Sequence, residues 1–180
     1  MSIKRSVTWK PPTIDFDFEI TAKRTEKSQE SKPVKFHKCY LGQVSEVFQR
    51  MFEHPETIEC QTGKLKCKGF SLGTIEKFHK LLYKQNLEER HINIDLMKFA
   101  DKYMVNDLYN FCSEHFMDHV SENNLIELIK IGTLKNDDSL LDGCAGYIRK
   151  NHYRSFFKSE DWKNFKAENP ECMLKIGNAM

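Results

Sequence analysis

Cys112 and His115 stand three positions apart, a spacing that would put a thiolate and an imidazole on one side of a helical turn. A zinc centre needs four such donors in a tetrahedral array, and no second pair lies near them in sequence. Cys112 also falls on an apolar stripe, so a core thiol is its expected state. His37 and Cys39 are close in sequence but have no further donor beside them. Glu56 and Glu59 could act as a general acid and base only in a pocket that shifts their pKa values. On an exposed loop they read as solvated, partner-facing surface. Lys64, Lys66 and Lys68 alternate along one strand face, which fits a solvated face that blunts edge pairing. Binding nucleic acid directly would need a larger basic field, and the net charge is only +2. No Gly-rich phosphate loop is present. These residues point to no enzyme, no cofactor and no metal centre.

The elements that must position them are organised around Phe36 to Phe52. Val34 and Phe36 close a short strand, His37-Lys38 follows, and Cys39-Tyr40-Leu41-Gly42 reads as a buried turn. Val44, Val47, Phe48, Met51 and Phe52 then recur at i, i+3, i+4, i+7 and i+8, an apolar stripe on a short helix. A helix that short does not stand alone in water, so it belongs in a core. Pro55 stops it near Glu53-His54. Upstream, Phe16, Phe18 and Ile20 alternate with Asp15, Asp17 and Glu19, the pattern of a half-buried strand. Residues 23–32 form a polar hairpin loop, and Pro33 to Phe36 returns as a second strand. Thr57 to Cys60 and Leu65 to Cys67 read as two short strands around a Gly63 turn.

From Ser71 the chain reads as helical. Ser71 caps a helix bearing Leu72, Ile75, Phe78, Leu81 and Leu82, and residues 86–90 form a linker. Further stripes follow at Leu96, Phe99, Ala100 and Tyr103; at Leu108, Tyr109, Cys112 and Phe116; at Leu125, Leu128 and Ile129; and at Leu141, Cys144, Ala145 and Ile148. Short polar connections join them, as in antiparallel helix pairs. Ser159 starts a helix with Glu160 and Asp161 in its first turn. Asn169-Pro170 starts another, and Trp162, Phe165, Met173, Leu174 and Ile176 anchor the two.

Apolar residues make up 39% and charged residues 30% of the 180, ordinary for one globular domain with a small appendage. Thirteen Phe and six Tyr can fill a sizeable core. Six irregularly spaced cysteines fit reduced thiols rather than a disulfide framework. No apolar run reaches membrane-spanning length, and MSIKRSVTWKPP lacks the apolar segment of a secretory signal.

Phe36-His37-Lys38, Leu41, Ser45, Val47-Phe48 and Met51-Phe52 together resemble the signature of the BTB/POZ domain. Met51-Phe52-Glu53-His54 is similar to the helix end of the speckle-type POZ group. Leu81-Leu82-Tyr83 resembles the family's segment ending in Tyr. Phe99-Ala100-Asp101-Lys102-Tyr103 with Leu108 and Cys112 resembles its "A-D-K-Y…L…C" helix pair. Ser159 to Phe165 resembles the post-BTB extension called the 3-box.

The resemblance implies an α+β BTB/POZ fold, a small mixed sheet packed on a cluster of helices, followed by a C-terminal helical extension. The expected division is an N-terminal arm (1–13), a BTB/POZ domain (14–119) and a 3-box or partial BACK-like extension (120–180), with no MATH domain attached. It implies an interaction module that dimerises with itself or another BTB protein through Trp9, Asp15, Phe16, Phe18, Ile20, His37 and Tyr40. It also implies a contact with the class-three cullin scaffold of a ubiquitin ligase through Phe52, Glu53, His54, Glu56, Ile58, Glu59, Tyr83 and Trp162. The family's apolar-x-Glu loop is replaced here by Pro55-Glu56-Thr57-Ile58-Glu59-Cys60. The other expectation is a scaffold subunit of a nuclear chromatin or transcription complex without cullin binding. Either places the chain in nucleus or cytoplasm, recruiting a protein the sequence does not name, with no membrane contact.

Overall fold

The computed structural model describes residues 15–23, 32–84, 91–151 and 154–179. The N-terminal arm with Trp9, most of the 23–32 loop and the 86–90 linker lie outside the described residues. The chain divides into two compact units, Met1–Leu87 and Glu88–Met180.

In the first unit, β1 (Phe18–Lys23) pairs antiparallel with β2 (Val34–Phe36) and parallel with β3 (Lys64–Ser71), giving the order β2-β1-β3. Alternation along β1 turns Phe18, Ile20 and Ala22 inward, where all three are buried. The helical hairpin α1 (Lys38–Val44) and α2 (Glu46–Glu53) follows β2. Phe48, buried on α2, meets Phe18 edge-on at 6.4 Å, and Phe36 stacks on Phe78 at 5.8 Å. Phe78 belongs to α4 (Leu72–Leu82), which packs on all three strands. Ser71 caps α4 by accepting from the Thr74 N–H at 3.3 Å.

The described elements of the second unit are all helical: α5 (Ile94–Lys102), α6 (Asn106–Asp118), α7 (Leu125–Lys135), α8 (Asp138–Asn151), a 3-10 turn at Ser155–Lys158, α9 (Glu160–Glu168) and α10 (Pro170–Ala179). The expected stripes line its core, with Leu96, Phe99, Cys112, Leu125, Leu128 and Cys144 fully buried. Helix α8 lies against α6 and α7, and α10 covers α7 and α8. At the crossing of α6 and α8 a Cβ on Gly143 would sit 3.0 Å from the Met117 backbone. Asp137 ties this corner together: Oδ1 accepts from the Leu140 N–H (3.1 Å), and Oδ2 accepts from the Ser113 (2.6 Å) and Tyr109 (3.2 Å) hydroxyls.

The sheet and helix cluster follow the α+β expectation, with local corrections. Cys39 to Gly42 is not a turn but part of α1, and Cys39 is exposed. The hairpin breaks at Ser45, whose hydroxyl accepts from the Phe48 N–H at 3.1 Å and caps α2. Thr57 to Cys60 is not a strand: the Thr57 hydroxyl accepts from the Cys60 N–H (3.2 Å) and starts α3 (Ile58–Thr62). Gly63 ends α3 in the left-handed region at φ 65°, where a glycine carries no Cβ penalty. Phe16 precedes β1 and is 50% exposed instead of sharing the inward face. Leu174 is 69% exposed on α10, and Cys172, which had not been singled out, takes the buried position. The Asn169 side chain donates back to the Phe165 carbonyl (2.9 Å), so it closes α9.

Candidate functional site

At the corner between β2 and α1, His37 is buried and its backbone N–H donates to the Tyr83 hydroxyl at 2.9 Å. The same hydroxyl lies 2.8 Å from His37 Nδ1. With a neutral ring, both contacts are satisfied when the hydroxyl accepts from the backbone and donates its own proton to Nδ1, which leaves the ring proton on Nε2. Burial pushes the Tyr83 phenol up to about 12, outweighing the His37 backbone bond that favours the phenolate. Burial also holds the His79 imidazole, 4.5 Å from the Tyr83 ring, below its ordinary value.

Lys38 fastens the corner outward. Its backbone N–H donates to Asp17 Oδ1 at 2.7 Å, and its Nζ donates to the Cys60 carbonyl at 3.3 Å while lying over the Phe52 ring. The His-Lys pair thereby ties the residue before β1, the start of α1, α3 and the residue that closes α4. Phe16 stacks on the His37 ring at 4.5 Å, and Tyr40 meets His37 and Tyr83 edge-on at 5.4 and 5.8 Å. Phe16 and Tyr40 keep solvent-facing area; Phe18 and Ile20 point into the core of their own unit. Asp15 is exposed beside them.

A second face is built at the end of the hairpin. Thr57 donates its hydroxyl to the His54 carbonyl (2.9 Å), and Cys60 Sγ donates to the Phe52 carbonyl (3.4 Å), so the turn from α2 into α3 is pinned at both ends. Glu53, His54 and Glu56 are exposed, Phe52 and Glu59 half-buried. His54 Nδ1 and Glu56 Oε1 lie 2.8 Å apart. Hydrogen bonds from its own backbone and from His54 hold the Glu56 carboxyl below the usual range. Ile58 faces solvent on this turn at 73% exposure. Two residues expected to share the face lie elsewhere. Tyr83 is at the His37 corner, and Trp162 is buried in the second unit among Phe156, Phe157 and Phe165.

A shallow hollow of about 500 Å³ lies along α6, lined by Asn106, Tyr109, Ser113, Glu114, Lys135 and Asp137 among others. Asp137 is engaged there by two hydroxyls and a backbone N–H. Burial pushes the Cys112 thiol up to about 12, so it stays protonated and is no ready ligand or nucleophile.

A profile of the BTB/POZ domain matches residues 24–120, more than half of the chain, and the chain belongs to that family. The match runs from the first unit to just past the end of α6. Relatives include two from Caenorhabditis elegans. BTB and MATH domain-containing protein 40 is 26% identical over 78% of this chain and 36% of its own length. BTB and MATH domain-containing protein 42 is 28% identical over 83% and 37%. A BTB/POZ domain-containing protein of Arabidopsis thaliana is 24% identical over 84% of this chain and 73% of its own. The chain thus spans little more than a third of the length of the two nematode proteins. The family is a protein-interaction module whose domains typically associate with themselves or with other BTB proteins.

Proposed function

We propose that this chain is a dimerising BTB adaptor of a cullin-RING ubiquitin ligase, docking the class-three cullin through the turn from α2 into α3. Residues 14–119 are the interaction domain and 120–180 its helical extension, acting in nucleus or cytoplasm, where six free thiols stay reduced. Phe16 and Tyr40, with Asp15 at the edge, give the dimer face its accessible area, and His37 and Tyr83 hold those rings in place. The protein recruited to the ligase binds elsewhere on the chain or on its BTB partner.

The observation that carries the cullin reading is Ile58. A large aliphatic side chain facing water on a turn locked by its own hydrogen bonds is a preformed anchor. Glu53, Glu56 and Glu59 around it suit a basic rim on the partner. Burying such a side chain is worth about 1.5–3 kcal/mol.

The test is light-scattering mass on the purified chain, alone and with the N-terminal part of the cullin, followed by a titration. A dimer whose mass rises with cullin, and whose affinity falls about tenfold or more in Ile58→Ala, is the expected result. A dimer that ignores the cullin sinks the ligase reading and leaves a nuclear scaffold role. A monomer would remove the dimer as well.

A further inference from the structure

The sequence pairs His115 with Cys112, but in the structure its neighbour is His119. The two imidazoles are one helical turn apart at the end of α6, stacked with centroids 4.1 Å apart and planes 9° from parallel. We infer that His115 and His119 form a two-imidazole chelating site for a late divalent transition ion of the Ni²⁺, Cu²⁺ and Zn²⁺ class.

Spacing i, i+4 is the one at which a helix presents two imidazoles to one ion. Stacking shows that both rings already share that face. The second observation is independent of spacing. His119 Nδ1 lies 2.7 Å from the His115 carbonyl oxygen, which can only accept. Nδ1 therefore carries the proton, and Nε2 is left with its lone pair. A ring N–H donated to a backbone carbonyl is the arrangement that orients metal-ligating histidines and raises their basicity. Here it is in place before any ion arrives.

The electrostatics agree. His119 is the C-terminal cap of α6, where the helix dipole favours positive charge. Glu114 and Asp118, both exposed, flank the pair in sequence and add negative charge. Imidazole donors select the late first-row ions over Mg²⁺ and Ca²⁺, which prefer oxygen. Chelation needs the rings to open from parallel so that their nitrogen edges converge, a side-chain rotation that leaves the helix backbone in place. Among the described residues no group of three ligands converges anywhere. The ion therefore keeps open positions filled by water, and the site is exchangeable rather than a structural cage.

The experiment is a calorimetric Ni²⁺ titration of the untagged, reduced chain. Backbone NMR then follows paramagnetic broadening by the same ion. One equivalent should bind, with broadening centred on residues 115–120. Affinity should fall about tenfold or more in His115→Ala and in His119→Gln. His54→Ala and Cys39→Ser, at exposed positions in the first unit, should bind as the wild type does. Wild-type affinity in both histidine variants overturns the site. So does broadening centred elsewhere, or no binding at millimolar ion. Unchanged far-UV circular dichroism and amide spectra away from α6 separate lost ligation from a lost fold.

Discussion

The Tyr83 hydroxyl meets His37 twice, at the backbone N–H and at Nδ1, across 46 residues of chain. Removing that one oxygen leaves the aromatic contacts of Tyr83 with Phe36, Tyr40 and His79 in place. Tyr83→Phe therefore isolates the hydrogen bonds from the packing. Depriving largely buried polar groups of a partner costs about 1–3 kcal/mol, so the urea midpoint of the first unit should drop by that equivalent. Because the His37 ring carries Phe16 and faces Tyr40, the variant should also weaken the proposed dimer. An unchanged midpoint would mean that water or another neighbour replaces the hydroxyl at no cost. Sequence reading reached both residues but assigned them to different surfaces. Periodicity reports which face of an element is apolar, and says nothing of a hydroxyl arriving from a distant helix end. The same blindness hid His119 behind Cys112.

Helices α4 to α8 were legible because each carries an apolar stripe at the helical period, and the buried residues fall on those stripes. The short elements around the hairpin were not. Thr57 and Ile58 are β-branched and favour strands locally, yet the Thr57 hydroxyl caps α3 and Gly63 closes it six residues later. In so short a piece capping outweighs propensity. Gly42 was read as a turn residue; it lies inside α1, where a Cβ would come 3.6 Å from the Gln49 backbone, in the close approach of α1 to α2. Glycines elsewhere separate packing from propensity more cleanly. At Gly143 an added Cβ meets the Met117 Cα and carbonyl oxygen at 3.0 Å, and backbone cannot turn aside as a flexible side chain does. Gly143→Ala should therefore destabilise the second unit by about 1–3 kcal/mol despite its better helix propensity. Gly177 on α10 has nothing within 4 Å of the added atom, so Gly177→Ala should stabilise by about 0.5–1 kcal/mol. A Gly143→Ala denaturant midpoint that rises along with that of Gly177→Ala would show that the α6–α8 approach does not limit that position.

Across the whole molecule, the buried thiols and phenols make stability depend on alkaline pH. Cys112 and Cys144 are both in the second unit, and burial pushes each thiol from an ordinary value near 9 up to about 12. Tyr109 in the same unit is raised as well, by burial and by the Asp137 carboxylate. Tyr83 in the first unit moves from 10 to about 12. These groups lose a proton on ionising, so a raised folded value means that the native state holds the proton where the unfolded chain has released it. Between about pH 9 and pH 12 the unfolded state binds fewer protons, and stability falls as pH rises through that window. At about pH 10, one unit above the unfolded thiol value, each thiol removes about 1.4 kcal/mol, or about 3 kcal/mol for the pair. Under reducing conditions, urea unfolding of the second unit followed by Trp162 fluorescence should therefore weaken between about pH 8 and pH 10. The double variant Cys112→Ala, Cys144→Ala, though less stable overall because of the cavities it opens, should lose most of that pH slope. A slope that survives the double variant would assign alkaline sensitivity to groups other than the two core thiols.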